Sequence, residues 1–412
     1  MKTLNRITSA VLGILLTTGA LAEKPESTLF YMSSSCYKTT FTLASHLMVL
    51  PVSINGSDSL NLIFDTGVGR TLITELSNPY IVMLSQARQI KVRGLGNHES
   101  IDGLLSNGNN ISLGKISGKS QEVVVVPNNQ IDLSSKVGHR INGVIGRSIF
   151  EQFVVEISYS NQTIKFYNPQ KFTRKIRKDE EIIPIELIDG RPYISAMVTI
   201  NGNDIPVKLL FDTGMSFGLW LDPASNSAIK SNGNIRREIL GEGLNGELSG
   251  SISRVEKFRI GKFEFNNVVA AFPDSSSISE LTTNNNRNGS VGAEIFRRFT
   301  VVIDYHNKRL ILRKNSSYKH PFTYDMSGVE VGSIIAGFPF YKIASVGKDT
   351  PAEECGLQVN DELFSINGIT TATMTVNEIT EIFKSKEGRT LRILVLRNGQ
   401  MIKVKMKLRR LV

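Results

Sequence analysis

Apolar residues in this chain come in short runs broken by turn residues, and up to about residue 320 few runs exceed the length of a strand. Residues 48–54, 122–126, 197–200 and 301–303 are rich in Val and Ile, with Gly, Asn, Asp and Ser between such runs. Branched side chains suit a pleated, half-buried surface, and helical 3.6-residue spacing is scarce, so this region is predicted to be β. Asn55-Gly56 and Asn201-Gly202 stand where tight hairpins would turn, and Asn161 and Asn307 mark two more.

Beyond residue 320 the pattern changes. Thr350 can cap a short helix with Pro351 in its first position, Glu353 three residues on and Gly356 past its end. A strand over 361–366 and a turn at Asn367-Gly368 follow. A helix is predicted from 376 to 386, capped by Thr375 with Glu378 at the capping-box position. Val376, Ile379, Ile382 and Phe383 share one face, and Gly388 is expected to end it. Strands over 391–397 and 401–408 flank Asn398-Gly399. This last region is α+β.

The first residues read as a secretory signal over 1–22: Lys2 and Arg6, an apolar stretch over 10–16, and the small-residue site Ala20-Leu21-Ala22. The stretch falls short of the ~20 apolar residues a spanning helix needs, and nothing later approaches that length. An uncleaved membrane anchor is the weaker reading, and no cysteine follows to carry a lipid. The expected location is periplasmic or secreted, with no transmembrane segment after cleavage. With 412 residues the chain has room for two or three domains. Cys36 and Cys355, its two cysteines, fall in different regions, so no disulfide is expected and stability must come from the core. The net charge of +10 drops to +8 when Lys2 and Arg6 leave. Basic clusters lie at 171–178 and 403–410; the second alternates with apolar residues, as one solvated face of a strand would. Nucleic acid is not an expected partner.

Phe-Asp-Thr-Gly occurs twice, at 64–67 and 211–214, with the aspartates 147 positions apart. Gly94/Gly241, Gly96/Gly243, Gly103/Gly250 and Gly114/Gly261 keep that offset. Gly143-Val144-Ile145-Gly146 matches Gly289-Ser290-Val291-Gly292 at 146, and residues 153–166 match 299–312 at the same offset. So many matched glycines make two homologous lobes. Each triplet follows an apolar run, which puts Asp65 and Asp212 at the ends of buried strands. A carboxylate is costly to bury, and two in contact resist double ionisation, so the pair would share one proton. That state suits amide hydrolysis: the ionised member takes a proton from water while the protonated member donates to the carbonyl oxygen. Such chemistry needs no metal or cofactor.

These residues resemble the aspartic proteases, and more nearly the bacterial two-lobed retropepsin-like enzymes. The resemblance implies an all-β bilobal acid-protease-like fold of two homologous lobes, with Asp65 and Asp212 as the catalytic dyad. It implies that Thr66 and Thr213 hydrogen-bond across the lobes, and that Gly67 and Gly214 let the backbone approach the attacking water. It also places Val144-Ile145-Gly146 and Val291-Gly292 in strands beside the two loops. The pattern departs from pepsin-like enzymes in three ways: Val68 and Met215 replace the usual hydroxyl residue after the triplet, Ser290 replaces an apolar residue, and no flap tyrosine is evident. Substrate-covering hairpins are expected at Gly94, Gly96, Gly241 and Gly243; His98 in the first reads as a solvated loop residue. A single chain carrying both lobes is expected to act as a monomer on polypeptide substrates.

The last region resembles a PDZ domain through Pro-Ala-x-x-x-Gly-Leu at 351–357 and Asp361…Ile366-Asn367-Gly368. The resemblance implies binding of peptide or protein C-termini between a strand and the second helix. The groove is expected at Gly337, Phe338 and Ile379, with its loop over 336–340, and a structural cap that binds nothing is the alternative. Leu411-Val412 would itself be an acceptable ligand. The expected divisions are a first lobe over 23–180, a second over 181–322 and the PDZ domain over 323–412.

Gly214-Met215-Ser216-Phe217-Gly218 also satisfies Gly-x-Ser-x-Gly, but such an elbow must open a helix, and Leu219-Trp220-Leu221-Asp222-Pro223 does not read as one. Five scattered histidines show no metal-ligand spacing. The remaining rival is a non-catalytic exported peptide-binding or adaptor protein with an inert cleft.

Overall fold

The structure, a computed structural model, describes residues 29–76, 82–92, 100–126, 133–243, 246–274, 287–333 and 338–412. The signal over 1–22, Gly94, Gly96, His98 and Gly337 lie outside them. The architecture is mostly β: two large sheets form the lobes and a smaller sheet forms the PDZ-like region.

In the first lobe the Leu47–Ile54 and Leu60–Asp65 strands form a hairpin turned by Asn55 and Gly56, both at positive φ. Asn and Gly accept that conformation at little steric cost, which fixes the register of the strand carrying Asp65. Asn201 and Gly202 do the same between Arg191–Ile200 and Asn203–Phe211, the strand that leads into Asp212. Gly143–Gly146 runs parallel to Leu60–Asp65 with Gly146 opposite Asp65, and Gly289–Val291 runs parallel to the second hairpin strand with Val291 opposite Phe211. Phe64 stacks on Phe150 at 4.3 Å and Phe211 packs on Phe296 at 4.2 Å, so each strand rests on a short helix just after its glycine motif.

The lobes are joined by more than contact. Val154–Ser158 pairs antiparallel with Phe299–Asp304, its own repeat counterpart, with Val155 opposite Ile303 and Ile157 opposite Val301. A strand paired in this way with its equivalent places a pseudo-twofold axis at the pairing. Thr163–Tyr167 and Cys36–Thr40 extend this shared sheet on one side, and Arg309–Lys314 and Glu180–Ile188 on the other. One hydrophobic cluster therefore runs through both lobes, including Phe64, Phe150, Phe211 and Phe296.

The PDZ-like region has its own cluster around Ile343, Leu363, Ile379, Leu391 and Val395. Thr350 caps Pro351–Glu354, and Thr375 and Glu378 close a full capping box on Val376–Phe383. That helix ends earlier than its apolar spacing suggested: Ser385 N–H reaches back three residues to the Ile382 carbonyl, and Gly388 turns the chain into the next strand by bonding the Leu408 carbonyl. Both cysteines are free. Among the described residues no helix is long and apolar enough to cross a membrane.

The glycine motif is a packing requirement. A Cβ on Gly146 would overlap the Asp65 carbonyl oxygen and approach its carbonyl carbon to 2.6 Å, and Asp65 sits on a strand pinned from both sides. Gly146→Ala should therefore cost about 3 kcal/mol or more, read as a fall in the denaturation midpoint of the lobes.

Candidate active site

Asp65 ends its strand and Asp212 directly follows the end of its own at Phe211, each wholly or nearly buried. The following backbone turns so that Gly67 N–H donates to Asp65 Oδ1 at 2.6 Å and Gly214 N–H donates to Asp212 Oδ1 at 3.0 Å. These amides satisfy one oxygen of each carboxyl and hold its rotamer. The carboxyls lie on the glycines. A Cβ on Gly67 would stand 3.2 Å from Asp65 Oδ1 and 3.5 Å from Asp212 Oδ1, and one on Gly214 would overlap the Asp65 carboxyl. Gly214 is thus required sterically at the point where the two acids meet, and a side chain on Gly67 would press on both of them.

The threonines lock the loops to each other. Thr66 N–H donates to Thr213 Oγ1 at 3.0 Å, and Thr213 N–H donates to Thr66 Oγ1 at 3.1 Å. Each hydroxyl then donates to the opposite lobe, Thr66 to the Phe211 carbonyl at 2.7 Å and Thr213 to the Phe64 carbonyl at 2.9 Å. A hydroxyl both accepts and donates, so two side chains satisfy four buried backbone groups. The next residues, Val68 and Met215, are fully buried and supply packing where a hydroxyl would have supplied a hydrogen bond.

Burial lifts Asp65 well above the ordinary carboxylate range, and the charge of Asp212 lifts it further against the opposing Gly67 amide. Among the described residues nothing meets the buried Asp65 Oδ2 at regular hydrogen-bond geometry, which favours the protonated form. Burial raises Asp212 too, but the Arg287 guanidinium, the Gly214 amide and the Arg191 charge hold it down. Both carboxyls are thus raised by burial, and the two guanidiniums oppose that rise at Asp212.

Neither arginine stood out in the sequence. Arg191 opens the strand leading to the second hairpin, and its Nε donates to the Gly67 carbonyl at 3.2 Å across the lobes. Arg287 is buried; its Nε donates to the Gly289 carbonyl at 2.8 Å and its Nη2 to Ser290 Oγ, while Nη1 has no acceptor among the described residues. Ser290 thus breaks the apolar motif because it holds this cation. The repeat carried the signal: Ile141 and Val144, the counterparts 146 positions earlier, are both buried and apolar.

The glycine-rich hairpins of the two lobes are the Arg88–Val92 and Ile101–Leu113 pair and the Arg236–Gly243 and Gly246–Ile260 pair. Gly241 and Gly243 lie in the second, beside a register shift, and Gly94 and Gly96 fall outside the described residues. Gly218 leads into the Leu219–Leu221 strand, so Ser216 is not on a nucleophile elbow. His46 lies beside it, but its partners are the Ser216 backbone and Glu294, 3.3 Å from Nδ1, and burial pushes its pKa down to about 4. No group of three metal-ligating side chains occurs among the described residues.

The expected PDZ groove residues need correcting. Ile379 is fully buried in the domain core, and Phe338 is exposed at the far end of a hairpin. The strand–helix groove instead lies between Val329–Ser333 and Val376–Phe383, where Val329, Val331, Val376, Thr380 and Phe383 line a cavity of about 960 Å³. Val412 does not occupy it: that residue is buried in the lobe cluster, and its carbonyl oxygen accepts from Arg254 Nε at 3.0 Å.

The aspartyl protease family model matches residues 50–149 and again 196–295, and a PDZ domain model matches residues 342–397. No curated protein matches the chain. Replacing Arg287 by Gln should remove the cation that holds Asp212 down. The lower titration of the carboxyl pair should then move to higher pH, as followed by carboxyl carbon-13 shifts, while Ser290→Ala should move it in the same direction by less.

Proposed function

With an aspartyl protease segment present twice and a PDZ domain behind it, we propose that this protein is an aspartic endopeptidase whose dyad is Asp65 and Asp212. The observation that carries this reading is the pair of buried carboxyls held face to face by four threonine hydrogen bonds. Burying two like charges is expensive, and such pairs cluster where proton transfer is needed.

In this reading Asp212, ionised with the help of Arg287 and Arg191, takes a proton from the attacking water. Asp65, protonated on the oxygen without a donor, gives its proton to the substrate carbonyl as the tetrahedral intermediate forms. The two roles then reverse as the amide nitrogen leaves. Both halves of the site lie on one chain, so a monomer suffices. The hairpin carrying Gly241 and Gly243, and its first-lobe counterpart, would cover a bound polypeptide. The leading residues 1–22 would direct export to the periplasm or beyond.

Asp65→Asn and Asp212→Asn should each lower cleavage of an unfolded protein substrate by about 10²–10⁴-fold, measured as release of new amino termini. Both carboxyls titrate above the ordinary range, so the singly protonated state, and activity, should extend from weakly acidic pH toward neutrality. The stability sign is independent of turnover. A carboxyl whose folded pKa is raised loses stability as pH rises through that value, so Asp65→Asn should raise the melting temperature more at pH 8 than at pH 5. Wild-type protein that cuts no unfolded substrate from acidic to neutral pH would overturn the catalytic reading in favour of an exported peptide-binding protein.

A further inference from the structure

The PDZ groove opens inward. Val329–Ser333 is the edge strand of its sheet, and the wall facing it across the cavity comes from the lobes, with Leu43 and His46 from one and Phe217 and Ile239 from the other. Phe217 stands five positions after Asp212, and Ile239 lies on the glycine-rich hairpin of the second lobe. The cavity therefore connects the PDZ groove with the elements that carry the candidate active site.

A free carboxyl terminus entering such a groove needs a cradle of successive backbone amides at its end. The loop before the edge strand has three, and all three are taken by the chain itself. Ser327 N–H donates to Asp325 Oδ1 at 3.1 Å, Gly328 N–H donates to Asp325 Oδ2 at 2.6 Å, and Val329 N–H donates to Ser327 Oγ at 2.9 Å. The Ser327 hydroxyl adds a fourth bond to Asp325 Oδ1 at 2.6 Å. Asp325 thus occupies with its own carboxylate the place where an incoming carboxylate would bind. Glu238, bonded to the Tyr324 hydroxyl, adds negative charge next to it. A second terminal charge would find these three amides taken and the Asp325 carboxylate already in its place, whereas the uncharged backbone of a continuing chain meets neither obstacle.

We propose that the groove takes an internal, extended stretch of a polypeptide rather than a free carboxyl terminus, and that this stretch lies in the cavity shared with the lobes. The bound stretch adds a strand beside Val329–Ser333 and sets its apolar side chains against Val331, Val376 and Phe383, while the chain runs on at both ends. This reading departs from the expectation of C-terminal ligands. It rests on the peptide-binding nature of the PDZ domain and does not require the aspartates to be catalytic.

The test uses the full chain with Asp65→Asn, so that no probe is cut. A random dodecapeptide library is displayed in two formats, one ending in a free carboxyl and one continued by a ten-residue Gly-Ser tail. Enriched sequences are then made as the acid, the amide and the tailed peptide, and their affinities are measured. The tailed format should enrich binders, the three forms should bind within about threefold of one another, and Thr380→Arg in the groove should weaken all of them at least tenfold. Asp325→Ala, which frees the amides, should give the acid at least a tenfold advantage over the amide. An acid that binds the unaltered groove tenfold more tightly than its amide would overturn the proposal, as would enrichment in neither format or binding indifferent to Thr380→Arg. If Asp325→Ala does not fold, the acid–amide comparison on the unaltered groove still decides. Failure of proteolysis with success here would sink the endopeptidase reading alone.

Discussion

Everything at the centre of this molecule depends on the four hydrogen bonds that the Thr66 and Thr213 side chains make across the lobes, two to each other's backbone N–H and two to the Phe211 and Phe64 carbonyls. Two loops must end buried strands, turn, and still leave their carboxyls facing one another. Each brings backbone N–H and C=O groups into a region without solvent, where an unpaired group costs about 1–3 kcal/mol. Reciprocal side-chain bonding satisfies those groups across the lobe boundary, so neither loop is complete without the other. The same exchange fixes the separation of the carboxyls, because Thr66 and Thr213 are the immediate neighbours of Asp65 and Asp212. The symmetric strand pairing at Val155 and Ile303 carries this geometry outward into the shared sheet.

On that symmetric frame the charges are not symmetric. The second lobe replaces the apolar pair Ile141 and Val144 with Arg287 and Ser290, which puts a buried guanidinium behind that lobe's aspartate. Burying an arginine carries a desolvation cost of its own, reduced here by the Gly289 carbonyl and the Ser290 hydroxyl. A symmetric dyad leaves the proton equally placed on either acid. The cation breaks that degeneracy by favouring the ionised form of Asp212.

Most of the scaffold was legible in the sequence because its signals are local. The Asn-Gly turns, the two triplets and the matched glycines each express a steric or conformational demand at one position, as the overlap at Gly146 illustrates. The merging of the lobes through Val154–Ser158 and Phe299–Asp304 has no such signature, since antiparallel pairing between distant strands leaves no mark on either one. Arg191 and Arg287 were hidden for a related reason. Each lies next to turn residues, where an arginine reads as solvent-facing, and only the fold buries it. The PDZ groove was misassigned because the expected loop, 336–340, follows the edge strand, whereas the mouth lies before it at Asp325 to Gly328. Which end of the strand forms the mouth is decided by the helix packed beside it, and the Met326 N–H bond to the Phe383 carbonyl closes that end.

The attachment of the PDZ domain follows from the same kind of interior bonding. Tyr324 reaches the second lobe's hairpin through Glu238, which is also paired with Arg236 at 2.6 Å, and Gly347 of the domain packs against the Arg236 guanidinium. Arg254 gathers the carbonyls of Asn267, Phe322 and Val412, binding the segment before the domain and the residues after its last strand to one face of the lobe. On the other side, Ser45 of the first lobe touches Asn377, and Gly138 packs on Val376 at the start of the groove helix. A domain on a flexible tether raises local ligand concentration only as its linker allows. One fixed to both lobes holds its groove at a set position, so whatever occupies the groove bears directly on the hairpin built from Arg236 to Gly243. The PDZ groove and the candidate cleft are therefore parts of one packed body.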